Sequence, residues 1–159
     1  MNVRVGEVAG KGRGVFMMRR VMPGETVVCG RAIAEVDGPT RMSVALGWDR
    51  HVEMDAPATL LNHHCEPNLG VRENAFSAYD FVALREIAAG EEVTFDYAMT
   101  EYELAAPLSC VCGAVDCAGT IRPWRERDQA WREVSAPYCA AYLRAARRER
   151  EPLSAKITR

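Results

Sequence analysis

Apolar residues in the first hundred positions fall in short runs of alternating or β-branched character, each closed by a glycine or proline turn. Val3, Val5 and Val8 alternate loosely and predict a first strand within residues 2 to 8. Ala9-Gly10-Lys11-Gly12-Arg13-Gly14 reads as a glycine-dense loop leading into a second strand, Val15 to Met18. Met22-Pro23-Gly24-Glu25 turns the chain, Thr26 to Val36 suits one or two strands, and Asp37-Gly38-Pro39 turns it again. Met42 to Leu46 and His51 to Met54 predict a hairpin around Gly47-Trp48-Asp49-Arg50. Ala56 to Leu61 reads as a short buried turn or helix. Leu69 to Arg72, Tyr79 to Arg85 and Val93 to Phe95 supply the remaining strands. No βαβ rhythm is present up to residue 100. The expected fold class is therefore mostly β, built of several small sheets, with C-terminal helices.

The helices come from a change of period in the tail. Arg125 to Val134 and Pro137 to Arg150 carry helical spacing, with apolar stripes at Ala130, Trp131 and Val134 and at Tyr138, Ala141, Tyr142 and Ala145. Pro137 suits a first helical turn, and Ser135 just before it suits a cap. The run Arg144, Arg147, Arg148, Arg150 reads as a solvated helix face rather than a nucleic-acid patch.

Composition narrows the class. A chain of 159 residues, 48% hydrophobic, is about one domain with a real core. A formal net charge of -2 gives no pull towards nucleic acid or membrane. No apolar run approaches a membrane span, and the N-terminal residues lack a signal peptide's apolar stretch. A cytoplasmic protein is expected, with export as an effector the alternative. Of the 20 basic residues only Lys11 and Lys156 are lysine, a bias that fits a GC-rich, bacterial genome.

The chemistry is concentrated in two stretches. Leu61-Asn62-His63-His64-Cys65-Glu66-Pro67-Asn68 packs two amides, two imidazoles and a thiol between an apolar run and a proline that forbids a regular helix. Cys110, Cys112 and Cys117 place three of the six cysteines within eight residues, a clustering that favours metal over disulfides. Tetrahedral zinc wants a fourth ligand. Cys65 is the best candidate, with His63 and His64 as competitors, whereas Cys29 and Cys139 sit in apolar runs and read as core. Gly90-Glu91-Glu92-Val93-Thr94-Phe95-Asp96-Tyr97 ends a strand on a tyrosine, which by itself is either packed or aimed into a site.

In this order, Gly12-Arg13-Gly14-Val15-Phe16, the Asn62-His63-x-Cys65-x-Pro67-Asn68 stretch, Phe95-Asp96-Tyr97 and the cysteine cluster resemble the glycine, central, aromatic and post-SET motifs of the SET-domain protein-lysine methyltransferases. The resemblance covers roughly residues 3 to 122. It implies a SET-type fold with a knot-like crossing, the chain from Leu69 to Val93 forming the encircling loop. The implied activity is transfer of a methyl group from S-adenosylmethionine to the ε-amine of a lysine in a protein substrate. By the same resemblance Tyr97 is the catalytic tyrosine, and Phe95 stands where a phenylalanine goes with two or three methyls. Lys11, Gly12, Arg13, Gly14, Asn62, His63 and Tyr97 would bind the cofactor. Cys65, Cys110, Cys112 and Cys117 would share one structural zinc.

The pattern also departs from the family. Val28 stands where members often carry a tyrosine, so one wall of the usual lysine channel is missing or comes from elsewhere, with Trp48, Tyr102 and Trp124 as candidates. His64 replaces a common serine, and the insert before the central motif is reduced to about a hairpin. The expected organisation is a SET domain over residues 1–108, a post-SET zinc segment over 109–122 and a helical tail over 123–159. Expected partners are a lysine-bearing protein substrate, such as a host histone, a nucleoid protein or a ribosomal protein, and a second copy paired through the apolar tail. Direct nucleic-acid and membrane binding are not expected. Two rival readings stand beside the enzyme. One is a weak or inactive SET-fold module that binds cofactor or peptide. The other is a zinc-scaffolded nucleic-acid binder using the tail arginines, which the near-neutral charge disfavours.

Overall fold

The computed structural model describes residues 2–149. Ten strands form two sheets. In chain order they are β1 (Val3–Val8), β2 (Gly12–Met17), β3 (Thr26–Cys29), β4 (Ala32–Val36), β5 (Ser43–Ala45), β6 (His51–Met54), β7 (Asn62–His63), β8 (Leu69–Glu73), β9 (Tyr79–Ala83) and β10 (Glu92–Phe95). Two α-helices follow, α1 (Gln129–Ser135) and α2 (Ala141–Glu149). The mostly β architecture of small sheets with helices at the end is the one the apolar pattern predicts.

The larger sheet runs β1-β2-β10-β8-β9-β3, with β7 also on β10; the smaller is β4-β6-β5. β10 is the strand on which the rest converges. Its first half pairs antiparallel with β2, Glu92 opposite Phe16 and Val93 opposite Val15. Its second half runs parallel to β7, Thr94 opposite Asn62 and Phe95 opposite His63, and Phe95 also faces Leu69 of β8. Asn68 joins these partners. Its carbonyl oxygen accepts from the Thr94 amide at 2.9 Å, and its amide nitrogen donates to the Glu92 carbonyl at 2.8 Å. The two ends of the central stretch thus flank β10, which is the crossing expected of a SET-type fold. The core lies beneath, where Val15, Leu69, Val71, Tyr79, Phe81, Ile87 and Val93 are fully buried.

The glycine-dense stretch differs from expectation. The turn is confined to residues 9–11, closed by the Lys11 amide donating to the Val8 carbonyl, and Gly12 to Gly14 already belong to β2. Gly12 carries a φ of +81°, which an L side chain rarely adopts.

The tail also differs. Pro137 does not begin the second helix. It lies in a short 3-10 turn, Ala136–Tyr138, directly after α1, and Ser135 makes no capping bond. Asp128 caps α1 instead, its side chain accepting from the Trp131 amide. Val134 and Ala130 face solvent, so the expected stripe on α1 reduces to the half-buried Trp131. On the second segment Cys139, Ala140 and Leu143 are the buried residues, not the stripe read from spacing. This part docks on the sheet. Tyr138 sits so close over Gly70 that a Cβ there would meet its Cβ at 2.5 Å. The Ala140 amide donates to the Met99 carbonyl, and the Tyr142 hydroxyl donates to the Thr100 carbonyl. Arg144 faces Glu73 at 3.6 Å. Arg150 and the side chains of Arg147 and Arg148 lie outside the described residues.

Candidate functional site

Tyr97 opens a 3-10 turn, Tyr97–Met99, placed at the end of β10 because Asp96 caps it through a side-chain bond from the Ala98 amide. Asp96 is fully buried and its other oxygen takes the Arg127 guanidinium. Burial pushes Asp96 up to about 6, against the pull of Arg127 and the Ala98 amide. The Tyr97 hydroxyl donates to the Leu61 carbonyl at 3.2 Å, and burial pushes it up to about 12, so it acts as a neutral donor at ordinary pH. Its ring packs against Phe95 and His63, with centroids 5.0 and 5.3 Å away.

His63 is held neutral. Burial, then the charge of Arg127, lowers it to about 3. Its Nδ1 accepts from the Tyr97 amide at 3.3 Å, which assigns the ring proton to Nε2. Asn62 lies beside it on β7. Its amide nitrogen donates to the Arg13 carbonyl at 3.0 Å and to Glu92 at 2.8 Å, while Lys11 pairs with the other Glu92 oxygen at 2.8 Å. Gly14 is required here, since a Cβ on it would lie 2.7 Å from Glu92 and 2.9 Å from the Asn62 nitrogen.

Cys65, Cys110, Cys112 and Cys117 bring their sulfurs within 4.8 Å of one another. Cys65 lies 3.8 Å from Cys110 and 3.9 Å from Cys117. Four thiolates at about 2.3 Å from a tetrahedral ion stand about 3.8 Å apart, so the quartet fits a metal such as zinc. Burial and the neighbouring thiols Cys112 and Cys110 raise Cys65, whereas Cys112, against the effect of burial, is lowered to about 7 by hydrogen bonds from its neighbours, so a cation would be needed to ionise all four together. Neither imidazole joins the set: Nε2 of His63 touches Cys65 at 3.5 Å, and Nδ1 of His64 accepts from the Glu66 amide. The loop carrying the last three cysteines closes on itself, the Cys110 amide donating to the Gly119 carbonyl and the Ile121 amide to the Leu108 carbonyl.

Two cavities meet at Tyr97. One, of about 320 Å³, is lined by Gly10, Lys11, Arg13, Asn62 and His63 on one side and Ser109 to Cys112 on the other. The second, of about 270 Å³, runs between Met42, Val44, Met54, Leu61, Phe95 and Leu104. Arg41, Met42, Thr59, Leu61, Tyr97 and Leu108 border both. The sequence-predicted residues Tyr97, Phe95, Lys11, Arg13, Asn62, His63, Cys110 and Cys112 thus gather around this junction, with Gly14 behind Asn62. Gly12 lies in β2 and lines neither cavity.

None of the candidates for the missing aromatic wall lines the second cavity. Trp124 is buried in the core against Trp131. Trp48 packs edge-on against Tyr102 and Tyr142 beside a separate cavity. Val28 is buried opposite Phe81. Sequence reasoning also passed over Glu92, Asp96, Arg127 and Glu101. Glu92 and Asp96 stood inside a motif already singled out. Arg127 and Glu101 carried no local signal.

A family model for the SET domain matches residues 12–98, more than half of the chain. Among curated proteins the chain is 32% identical over 84 residues to Methyltransferase flvH of Aspergillus flavus, a match covering 52% of this chain and 46% of that protein. It is 31% identical over 93 residues to Histone-lysine N-methyltransferase met-2 of Caenorhabditis elegans, covering 46% of this chain and 7% of that protein. The chain spans less than half the length of either relative. Among solved structures it is similar to KRYPTONITE in complex with mCHH DNA, H3(1-15) peptide and SAH, with TM-score 0.56 and 25% identity over 76% of this chain and 29% of that one. It is also similar in fold to the methyltransferase domain of human SETMAR, with TM-score 0.59 and 18% identity over 76% of this chain and 58% of that one.

Proposed function

The chain belongs to the SET-domain family, and on that premise we propose that it methylates the ε-amine of a lysine in a protein substrate, with S-adenosylmethionine as donor. The observation that carries this reading is the junction of two cavities at Tyr97, one polar and roofed by the cysteine loop, the other narrow and apolar. A methyl donor and a lysine side chain entering from opposite ends would meet there. Relatives named as histone-lysine methyltransferases, and a similar solved structure that holds SAH and an H3 peptide, support it.

S-adenosylmethionine supplies a methyl group already activated on a sulfonium. What remains for the protein is position, exclusion of water and a neutral amine. Lysine titrates at about 10.4, so neutrality at pH 7 costs roughly 4–5 kcal/mol. The apolar walls at Met42, Val44, Met54 and Leu104 favour the uncharged form by desolvation. Tyr97 orients the reacting groups with its hydroxyl. Both N–H bonds of the Asn62 amide are used by Arg13 and Glu92, which leaves its oxygen to accept from the donor's ammonium. Lys11 is held by Glu92, so Arg13 is the cation of this loop for the donor's carboxylate. Cys65, Cys110, Cys112 and Cys117 would hold a structural zinc, which would tie the loop of residues 109–122 over the cofactor cleft rather than activate water.

The test is calorimetric titration of zinc-analysed protein with S-adenosylmethionine, followed by radiolabelled methyl transfer to lysate proteins. Binding lost in Asn62→Ala, and transfer reduced about a hundredfold or more in Tyr97→Phe with binding kept, is the expected result. Binding without transfer to any protein would favour a module that holds the cofactor and does not turn it over.

A further inference from the structure

Glu101 is a buried carboxyl that the proposed reaction does not yet use. It follows Tyr97 by one turn, its amide donating to the Tyr97 carbonyl at 2.8 Å. It is 8% exposed, and one oxygen accepts from the Ala45 amide of β5 at 3.0 Å. It borders the apolar cavity that ends at Tyr97. It also borders a separate cavity lined by Trp48, His51, Tyr102, Glu103 and Tyr142. A carboxyl in so apolar a wall is costly unless a cation joins it.

The place is also where the channel departs from an aromatic design. Among the described residues its rings are Phe95 and Tyr97, and the rest of the wall is aliphatic side chains with the neutral hydroxyls of Thr40, Ser43, Thr59 and Thr100. Neutral walls hold an ammonium only weakly on entry, and Glu101 is the one anionic side chain among the described residues lining this cavity. Arg41, the other charged residue on this cavity, is exposed and of the wrong sign.

We propose, resting on the lysine-methyl-transfer reading, that Glu101 is the catalytic base of this site: it binds the incoming ammonium as an ion pair and accepts its proton. An N–H bond of the ammonium breaks, its electron pair stays on nitrogen, and the proton forms an O–H bond on the Glu101 carboxylate. The freed lone pair then bonds the methyl carbon as the carbon–sulfur bond breaks, that electron pair going to sulfur. Each methyl transferred releases one proton from a closed site. Glu101 also borders the cavity lined by Trp48, His51 and Glu103, and that second opening gives the proton a way out.

The electrostatic surroundings agree. Burial raises Glu101 to about 7, opposed by the Ala45 amide and the Thr100 hydroxyl, so the group exchanges its proton near neutral pH. The titratable or charged groups around it are Arg41 ahead of β5, His51 on β6, Tyr79 on β9, Tyr97, Tyr102 and Glu103 on its own segment, and Tyr142 on α2.

The experiment uses two probes on the full chain. The first is n-butylammonium, titrated in the presence of S-adenosylhomocysteine and read from the methyl NMR signals of Met42 and Met54. E101Q keeps an acceptor for the Ala45 amide, so the fold is retained; metal content and melting at about pH 5 check this. Expected is binding to wild type at pH 8 that weakens at least tenfold in E101Q and returns in part in Glu101→Asp. The second is methyl transfer to poly-L-lysine. Wild-type kcat/KM should rise as pH passes through about 7, and E101Q should lose that limb. Equal amine affinity and an unchanged pH profile in a folded E101Q would overturn the proposal. Glu101-dependent amine binding without any methylated lysine would instead overturn the methyl-transfer reading and support the ion pair.

Discussion

Nε2 of His63 lies 3.5 Å from the sulfur of Cys65, while Nδ1 of the same ring receives the Tyr97 amide. One imidazole therefore connects the thiol quartet to Tyr97. A metal on the quartet would fix Cys65, Cys65 would then orient the His63 proton, and His63 accepts from the amide at the start of the Tyr97 turn.

Metal removal should accordingly be felt in the cleft proposed for the cofactor. Chelation, or Cys112→Ser, is expected to weaken S-adenosylmethionine binding about tenfold or more, because Cys110 and Cys112 line that cleft as well as the quartet. Elemental analysis beside calorimetry checks it. Unchanged affinity in a metal-free chain would separate the two sites.

Phe95 packs on Tyr97 and Phe81, with centroids 5.0 and 5.1 Å away, and lines the narrow cavity. Phe95→Tyr adds a hydroxyl where a growing methylammonium would sit. Wild type should proceed to di- or trimethyllysine, and the variant should slow the second transfer about tenfold or more. Intact-mass spectrometry at long reaction times reads this directly. A wild type that stops at one methyl would count against the room assigned to Phe95.

Much of this site was legible because its chemistry is local. Asn62, His63 and Cys65 stand within four residues, Phe95 and Tyr97 within three, and Cys110 to Cys117 within eight. The spacing alone groups them, and β10 then brings the groups together. Glu101 was not legible. A single glutamate in a polar-looking segment gives no sign that β5, fifty-six residues earlier, will cover it. Arg127 was hidden likewise, since its partner Asp96 lies on another element. In the tail, periodicity marked helix but not the buried face. Pro137 interrupts the segment, and the docking of Tyr138 over Gly70 decides which side turns inward.

Arg127 and Asp96 form the most deeply buried ion pair of the site. Arg127→Met leaves a carboxylate without its partner and should destabilise the fold by about 3–5 kcal/mol. The loss depends on pH. Asp96 is protonated below about 6 and then needs no cation, so urea unfolding should show a smaller loss at pH 5 than at pH 8.

Glu101 makes a prediction of opposite character. Its folded pKa is raised from 4.5 to about 7, so the native state holds this proton more tightly than the unfolded chain. Stability from this group is therefore complete at about pH 4 and falls as pH rises through about 7. E101Q resembles the protonated form. It should match wild type at about pH 4 and exceed it at pH 8 by up to ~3 kcal/mol, read from urea midpoints at both values.

Among the described residues β10 is also the last strand to be made, and every strand it pairs with precedes it. A nascent chain leaving the ribosome carries Asn62, His63 and Cys65 well before any partner that can align them. Until residues 92–97 emerge, β2, β7 and β8 have no common neighbour. The three cysteines of the loop follow later still. The reactive junction is thus assembled by long-range pairing at the end of synthesis, and truncated or stalled products of this chain contain its recognisable motifs without a working arrangement of them.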